Sequence, residues 1–207
     1  MIAQIFKEYR LACKVAIFIL TLVPLFLLVI NVVNNDLGPD PAKAMAHITG
    51  EWAMRLLLLT LAINPLRKLT GATEWVHYRR MLGLVTFFYA SLHLLTYCLF
   101  LLELEWRHLW EDILERPYIT VGFLAWVILL PLAITSTKGW QRRLGRRWIQ
   151  LHQSIYAALL LVLLHLIWQV RSDIGEALIY SCIALILMSF RSVKIISSFR
   201  RFSQRFS

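Results

Sequence analysis

The sequence predicts an all-α integral membrane protein, a six-transmembrane-helix bundle with both termini on the cytoplasmic side. Three observations predict it. Of 207 residues, 59% are hydrophobic and 16% charged, against about 25% charged in soluble chains, and the mean hydropathy is +0.64. Apolar runs near the ~20 residues that a bilayer span requires recur along the whole chain. Basic residues collect in alternate loops, as the positive-inside rule expects of cytoplasmic segments.

The spans fall at about 11–33, 48–66, 81–102, 117–135, 148–169 and 174–191. The first follows Lys7 and Arg10, like a signal-peptide leader. Its apolar run is too long for a cleaved leader, and Ala44–Ala46 lies too far beyond it for a cleavage site, so an uncleaved helix is expected. Asn34-Asn35-Asp36-Leu37-Gly38-Pro39 ends it. Pro117 suits the first turn of the fourth span, and Pro24 and Pro131 inside spans read as kinks. The 103–116 loop repeats Trp106, Leu109, Trp110, Ile113 and Leu114 at helical spacing. It reads as an amphipathic helix in the outer interface, or as an acidic docking surface through Glu105, Glu111, Asp112 and Glu115. The segment after residue 191 mixes phenylalanines with arginines, which suits a tail attracted to anionic lipid. No internal repeat is visible. The spans use up residues 1–207, which are read as one domain.

Orientation follows from charge. Lys7, Arg10 and Lys14 precede the first helix; Arg67, Lys68, Arg79 and Arg80 lie between the second and third. Lys138, Arg142, Arg143, Arg146 and Arg147 lie between the fourth and fifth, and Arg191, Lys194, Arg200, Arg201 and Arg205 follow the sixth. The opposite side has Lys43, Arg107, Arg116 and Arg171. This asymmetry accounts for the net charge of +10 without a nucleic-acid partner. Cys13, Cys98 and Cys182 form no C-x-x-C or C-x-x-C-H motif, so zinc, iron–sulfur and covalently attached haem are not implied. Nucleotide-binding and hydrolase motifs are absent as well.

Intramembrane histidine remains. An ionisable side chain at bilayer depth is costly and marks a functional candidate. At about 1.5 Å per residue, His93 lies roughly 20 Å and His165 roughly 27 Å along two parallel spans, while His152 lies only about 8 Å along. His93 and His165 are therefore the matched pair, able to hold a haem iron from opposite faces. His152 is about 20 Å from His165 along the helix and serves a different purpose. The positions on the third span that would pair with it are Arg79 and Arg80, so a second bis-histidine haem is not supported; an unusually ligated haem, a flavin or a cytoplasmic donor remains open, as does a plain helix-end role. His47, Glu51 and Arg55 share one helix face at i, i+4, i+8. They form a self-satisfied polar stripe, or else contact haem propionates or a quinone. His77 and His108 are expected on the surface.

Several ordered motifs give a resemblance. They are Leu37-Gly38-Pro39-Asp40-Pro41, His47-Ile48-Thr49-Gly50, Arg79-Arg80-Met81-Leu82-Gly83-Leu84 and Leu92-His93-Leu94. Arg116-Pro117-Tyr118-Ile119-Thr120-Val121-Gly122, Thr135-Ser136-Thr137, Leu144-Gly145-Arg146-Arg147-Trp148, Leu151-His152 and His165 follow. Over about residues 10–195 the chain closely resembles the MsrQ (YedZ) family of the ferric-reductase-like transmembrane superfamily. The resemblance implies a haem b electron-transfer subunit of the bacterial cell inner membrane. It implies electrons drawn from the quinone pool or a cytoplasmic flavin reductase. It implies delivery to MsrP, a periplasmic molybdopterin enzyme that reduces methionine sulfoxide in oxidised proteins. FMN is also associated with the family, and His93, His152 and His165 occupy its haem-associated positions. The candidate cofactor-binding residues are thus His93, His165, His152, Arg79, Arg80, Arg55 and His47, with His93 and His165 as metal ligands and catalysis assigned to the partner. The competing readings are a self-contained transmembrane quinol or ferric oxidoreductase and a non-redox transporter.

Overall fold

Long apolar runs with polar ends leave the backbone one economical solution, hydrogen bonding within each segment as a helix. The computed structural model describes residues 9–102, 104, 113, 115–169 and 174–203, with side chains described up to residue 190, and contains no strand among them. The helices are α1 (Arg10–Val33), α2 (Pro41–Thr70), α3 (Val76–Thr96), α4 (Pro117–Ile134), α5 (Lys138–Leu144), α6 (Arg146–Gln153), α7 (Ile155–Gln169) and α8 (Gly175–Ser203).

Local chemistry sets their ends. Asp40 caps α2 by accepting from the Lys43 backbone N–H at 3.1 Å, with Pro41 in the first turn and Gly71 in a left-handed conformation (φ 68°) after the last. Pro117 opens α4 as expected. Gly145 (φ 53°) separates α5 from α6, a conformation that favours glycine. The fifth expected span is broken into α6 and α7 by a turn at Ser154. Beyond α3 the chain continues as a π-helical segment, Tyr97–Leu101, with Leu102 N–H bonded to Tyr97 O at 2.9 Å. The helix that carries the sixth expected span runs beyond it, since the α8 backbone remains helical to Ser203 while its apolar part ends at Phe190. Most of the amphipathic segment expected at 103–116, including Trp106, His108 and Trp110, lies outside the described residues.

Four helical stretches are long and apolar enough to cross a membrane: Arg10–Val33, Thr73–Leu101, Pro117–Ile134 and Arg146–Gln169. Gly175–Phe190 is apolar but shorter. The 30-residue α2 does not join them, because Glu51, Arg55 and other polar residues lower its hydropathy, and its packing accommodates them. One side of α2 places Met54, Leu57, Leu58 and Leu61 against Leu159 and Leu163 of α7 and Ala184 of α8. The other places Leu56 and Ile63 against Tyr78, Leu82, Val85 and Tyr89 of α3. A helix enclosed by other helices can carry Glu51 and Arg55 because they find protein partners. By contrast, α1 exposes Leu20, Phe26 and Val33, as a helix facing hydrocarbon does.

Polar ties cross the bundle. Tyr89 Oη donates to Thr21 O at 2.7 Å, joining α3 to α1. Trp126 Nε1 donates to Ser91 Oγ at 3.0 Å, joining α4 to α3. Arg55 Nε donates to Tyr180 Oη at 2.8 Å, joining α2 to α8.

Candidate functional site

The α2–α3 and α4–α7 pairs are the two most extensively packed in the bundle. Each delivers one imidazole to the same place. On α3, His93 Nδ1 lies 2.8 Å from the Ala46 carbonyl of α2. On α7, His165 Nδ1 lies 2.7 Å from the Tyr118 carbonyl of α4. A carbonyl only accepts, so each Nδ1 carries the proton and donates it. That fixes the neutral tautomer with a bare Nε2. Neither Nε2 has a hydrogen-bond partner among the described residues.

The two ring centroids lie 6.0 Å apart with the planes at 81°, an edge-on arrangement. An imidazole–metal bond is about 2 Å long. Two such bonds on one line, plus the distance from each nitrogen to its ring centre, give a centroid separation close to the one found. The donor set therefore fits an iron held by two neutral imidazoles, each with its other nitrogen bonded to a backbone carbonyl, the arrangement that orients metal-binding histidine and raises its basicity.

Two glycines complete the arrangement, and the sequence reading missed their role. A Cβ on Gly50 would stand 3.0 Å from His93 Nδ1 and 3.1 Å from Cε1. A Cβ on Gly122 would stand 2.8 Å from His165 Nδ1 and 2.9 Å from Cε1. Carbonyl, glycine and histidine recur at the same spacing: 46, 50 and 93 become 118, 122 and 165, each 72 positions later. No repeat is visible along the sequence, but the two hairpins repeat one local design. The signal available in the sequence was the equal Gly50–His93 and Gly122–His165 separation.

The other predicted residues lie apart from this pair. His152 sits at the opposite end of α4 and α7, stacked on Trp148 with ring centroids 4.0 Å apart. Thr135 Oγ1 donates its one proton to Pro131 O at 2.6 Å. It must therefore accept from His152 Nε2, 3.1 Å away. Trp148 Nε1 closes the group by donating to Thr135 O at 2.9 Å. Arg79 lies within electrostatic range of His152, and Arg80 is exposed. Arg55 is engaged by Tyr180 and by Glu51 Oε2 at 3.1 Å, and it lies over the Trp52 ring at 5.1 Å. At about 100° per residue, Arg55 points some 140° around α2 from Gly50. His47, largely exposed, joins Glu51 and Glu176 in a cluster whose ligand atoms lie within 4.8 Å of one another. His77 is exposed as expected but belongs to the first turn of α3 rather than a loop. A cavity of about 310 Å³ lined by Arg10, Leu11, Lys14, His77 and Tyr78 is roughly 20 Å along α3 from His93.

An all-helical bundle with opposed intramembrane imidazoles defines a class, and sequence comparison agrees: the family described as ferric reductase like transmembrane component matches residues 49–163. The chain belongs to that family. Within it, the chain belongs to the MsrQ family. A Xanthomonas campestris pv. campestris (strain B100) protein is 52% identical over 174 residues, covering 84% of this chain and 79% of its own. A Rhodospirillum rubrum protein is 42% identical over 191 residues, covering 92% of each. Both are named protein-methionine-sulfoxide reductase heme-binding subunit MsrQ. No solved structure matches.

Proposed function

We propose that the protein is a haem b electron-transfer subunit, embedded in the bacterial inner membrane, that serves a separate reductase of methionine sulfoxide. The observation that carries this reading is the opposed pair of carbonyl-anchored imidazoles, His93 and His165. The names of the relatives support the haem and the reductase system. Bound haem supplies reversible one-electron chemistry between ferric and ferrous iron.

The residues have separable tasks. His93 and His165 would hold the iron through their Nε2 lone pairs, while the Ala46 and Tyr118 carbonyls hold each Nδ1 proton in place. Rings held this way would need little rearrangement when the iron changes oxidation state, which suits passing electrons over binding a substrate. The charge asymmetry of the loops supports six spans with both termini cytoplasmic. The His93 end of the bundle then faces the periplasm, toward an MsrP-type molybdopterin partner. The His152–Trp148–Thr135 group, with Arg79 within electrostatic range of His152 and Arg80 next to it in sequence, then faces the cytoplasm. There it would stand where an electron donor docks, whether a flavin reductase, FMN or a quinol. Arg55 and His47 belong to the same half of α2 as Ala46 and Gly50, but contact with a propionate or a quinone would require Arg55 to leave Glu51 and Tyr180.

The test is the visible spectrum of detergent-purified protein. A Soret band that sharpens and shifts on reduction with dithionite, with resolved α and β bands, is expected. Colourless protein from haem-replete cells would refute the reading.

A further inference from the structure

Resting on the haem reading, we infer that Gly50 and Gly122 are positioning residues that set the orientation of the two imidazoles and, through it, the electronic character of the iron. Ordinary carbon contacts lie at about 3.5–4.0 Å. Any side chain at Gly50 or Gly122 would bring a Cβ to 3.0 or 2.8 Å of an Nδ1 atom. The ring would have to move, and the atom pushed is the one that donates to Ala46 O or Tyr118 O. Each glycine sits one helical turn after its carbonyl. Carbonyl and bare Cα therefore form one surface against which the Nδ1–Cε1 edge of the ring lies.

The consequence differs from simple packing. The Nδ1–H···O=C bond makes an imidazole a stronger electron donor to its metal. Pushing the ring off the carbonyl weakens that bond, lowers donor strength and favours the reduced iron. Glycine is common wherever membrane helices pack closely, but at these two positions the atoms that leave no room for a Cβ belong to the imidazoles themselves. Gly83 is a built-in comparison. It lies inside α3, yet a Cβ there would meet Thr60 Cγ2 at 3.7 Å, an ordinary contact.

The experiment uses the full-length protein in detergent with Gly50→Ala, Gly122→Ala and Gly83→Ala. Gly122→Ala, the tighter position, is expected to lose more than half of its low-spin haem and to gain a five-coordinate signature that binds carbon monoxide. Gly50→Ala should retain more haem, with a midpoint potential shifted upward. Gly83→Ala should match the wild type in spectrum and potential. Each glycine change is also made in each histidine-to-alanine background and thermal stability is measured without haem. Gly122→Ala should destabilise the His93→Ala protein but not the His165→Ala protein, and Gly50→Ala should show the reverse. This coupling still tests the contact if a single variant fails to accumulate. Wild-type spin state, haem content and potential in both glycine variants would overturn the inference while leaving the haem reading intact. So would destabilisation that is the same in both histidine backgrounds. A wild-type protein without haem would instead defeat the haem reading.

Discussion

The two ends of the α4–α7 pair hold histidines in opposite ways. At one end, His165 leaves Nε2 unengaged and commits Nδ1 to the Tyr118 backbone carbonyl. At the other, His152 commits Nε2 to the Thr135 hydroxyl and stacks on Trp148. A backbone carbonyl is a fixed acceptor that leaves the far nitrogen aimed at a ligand. A hydroxyl that already donates to Pro131 O ties the histidine into a side-chain network. The same residue type on two successive helices thus reads as a ligand at one end and as part of a polar anchor at the other. The partner makes the difference.

Removing either ligand should sharpen this contrast most. His93→Ala and His165→Ala are each expected to lower haem per polypeptide about tenfold or more, measured by pyridine haemochrome against protein. Normal haem loading in either variant would break the assignment. His152→Ala should keep its haem but accept electrons several-fold more slowly from a cytoplasmic-side donor, followed by stopped-flow absorbance in oriented vesicles. Unchanged kinetics would reduce His152 to a helix anchor. The smallest effect is expected at the α2–α8 tie. Tyr180→Phe removes the acceptor for Arg55 Nε and should cost about 1–2 kcal/mol, seen as a lower thermal midpoint with the haem spectrum unchanged. A displaced Soret band there would place Arg55 closer to the cofactor than its contacts with Glu51 and Tyr180 indicate.

Much of this was legible in the sequence because the bilayer imposes it. Run length and hydropathy located α1, α3, α4 and the α6–α7 stretch, and proline placed the start of α4. The pairing of His93 with His165 followed from depth along parallel helices, and their ring centroids lie 6.0 Å apart. The enclosed position of α2 was not legible, since a polar stripe on an apolar helix gives no sign of how many neighbours surround it. The break at Ser154 was hidden because a serine within an apolar run is compatible with an unbroken helix. The glycines escaped notice for a related reason. Glycine inside a helix registers locally only as weak propensity, and its purpose at 50 and 122 lies on another helix. The tie of His152 to Thr135 likewise depends on a hydroxyl whose partner is set by folding.

The hairpins that present His93 and His165 each commit Nδ1 to a backbone carbonyl and leave Nε2 for another partner. On the haem reading, a small molecule could bind the iron directly only by displacing one of the two histidines. The two carbonyls resist that displacement by fixing each ring. The backbone itself would thereby favour electron transfer over chemistry at the metal, with no need for a lid or a gate.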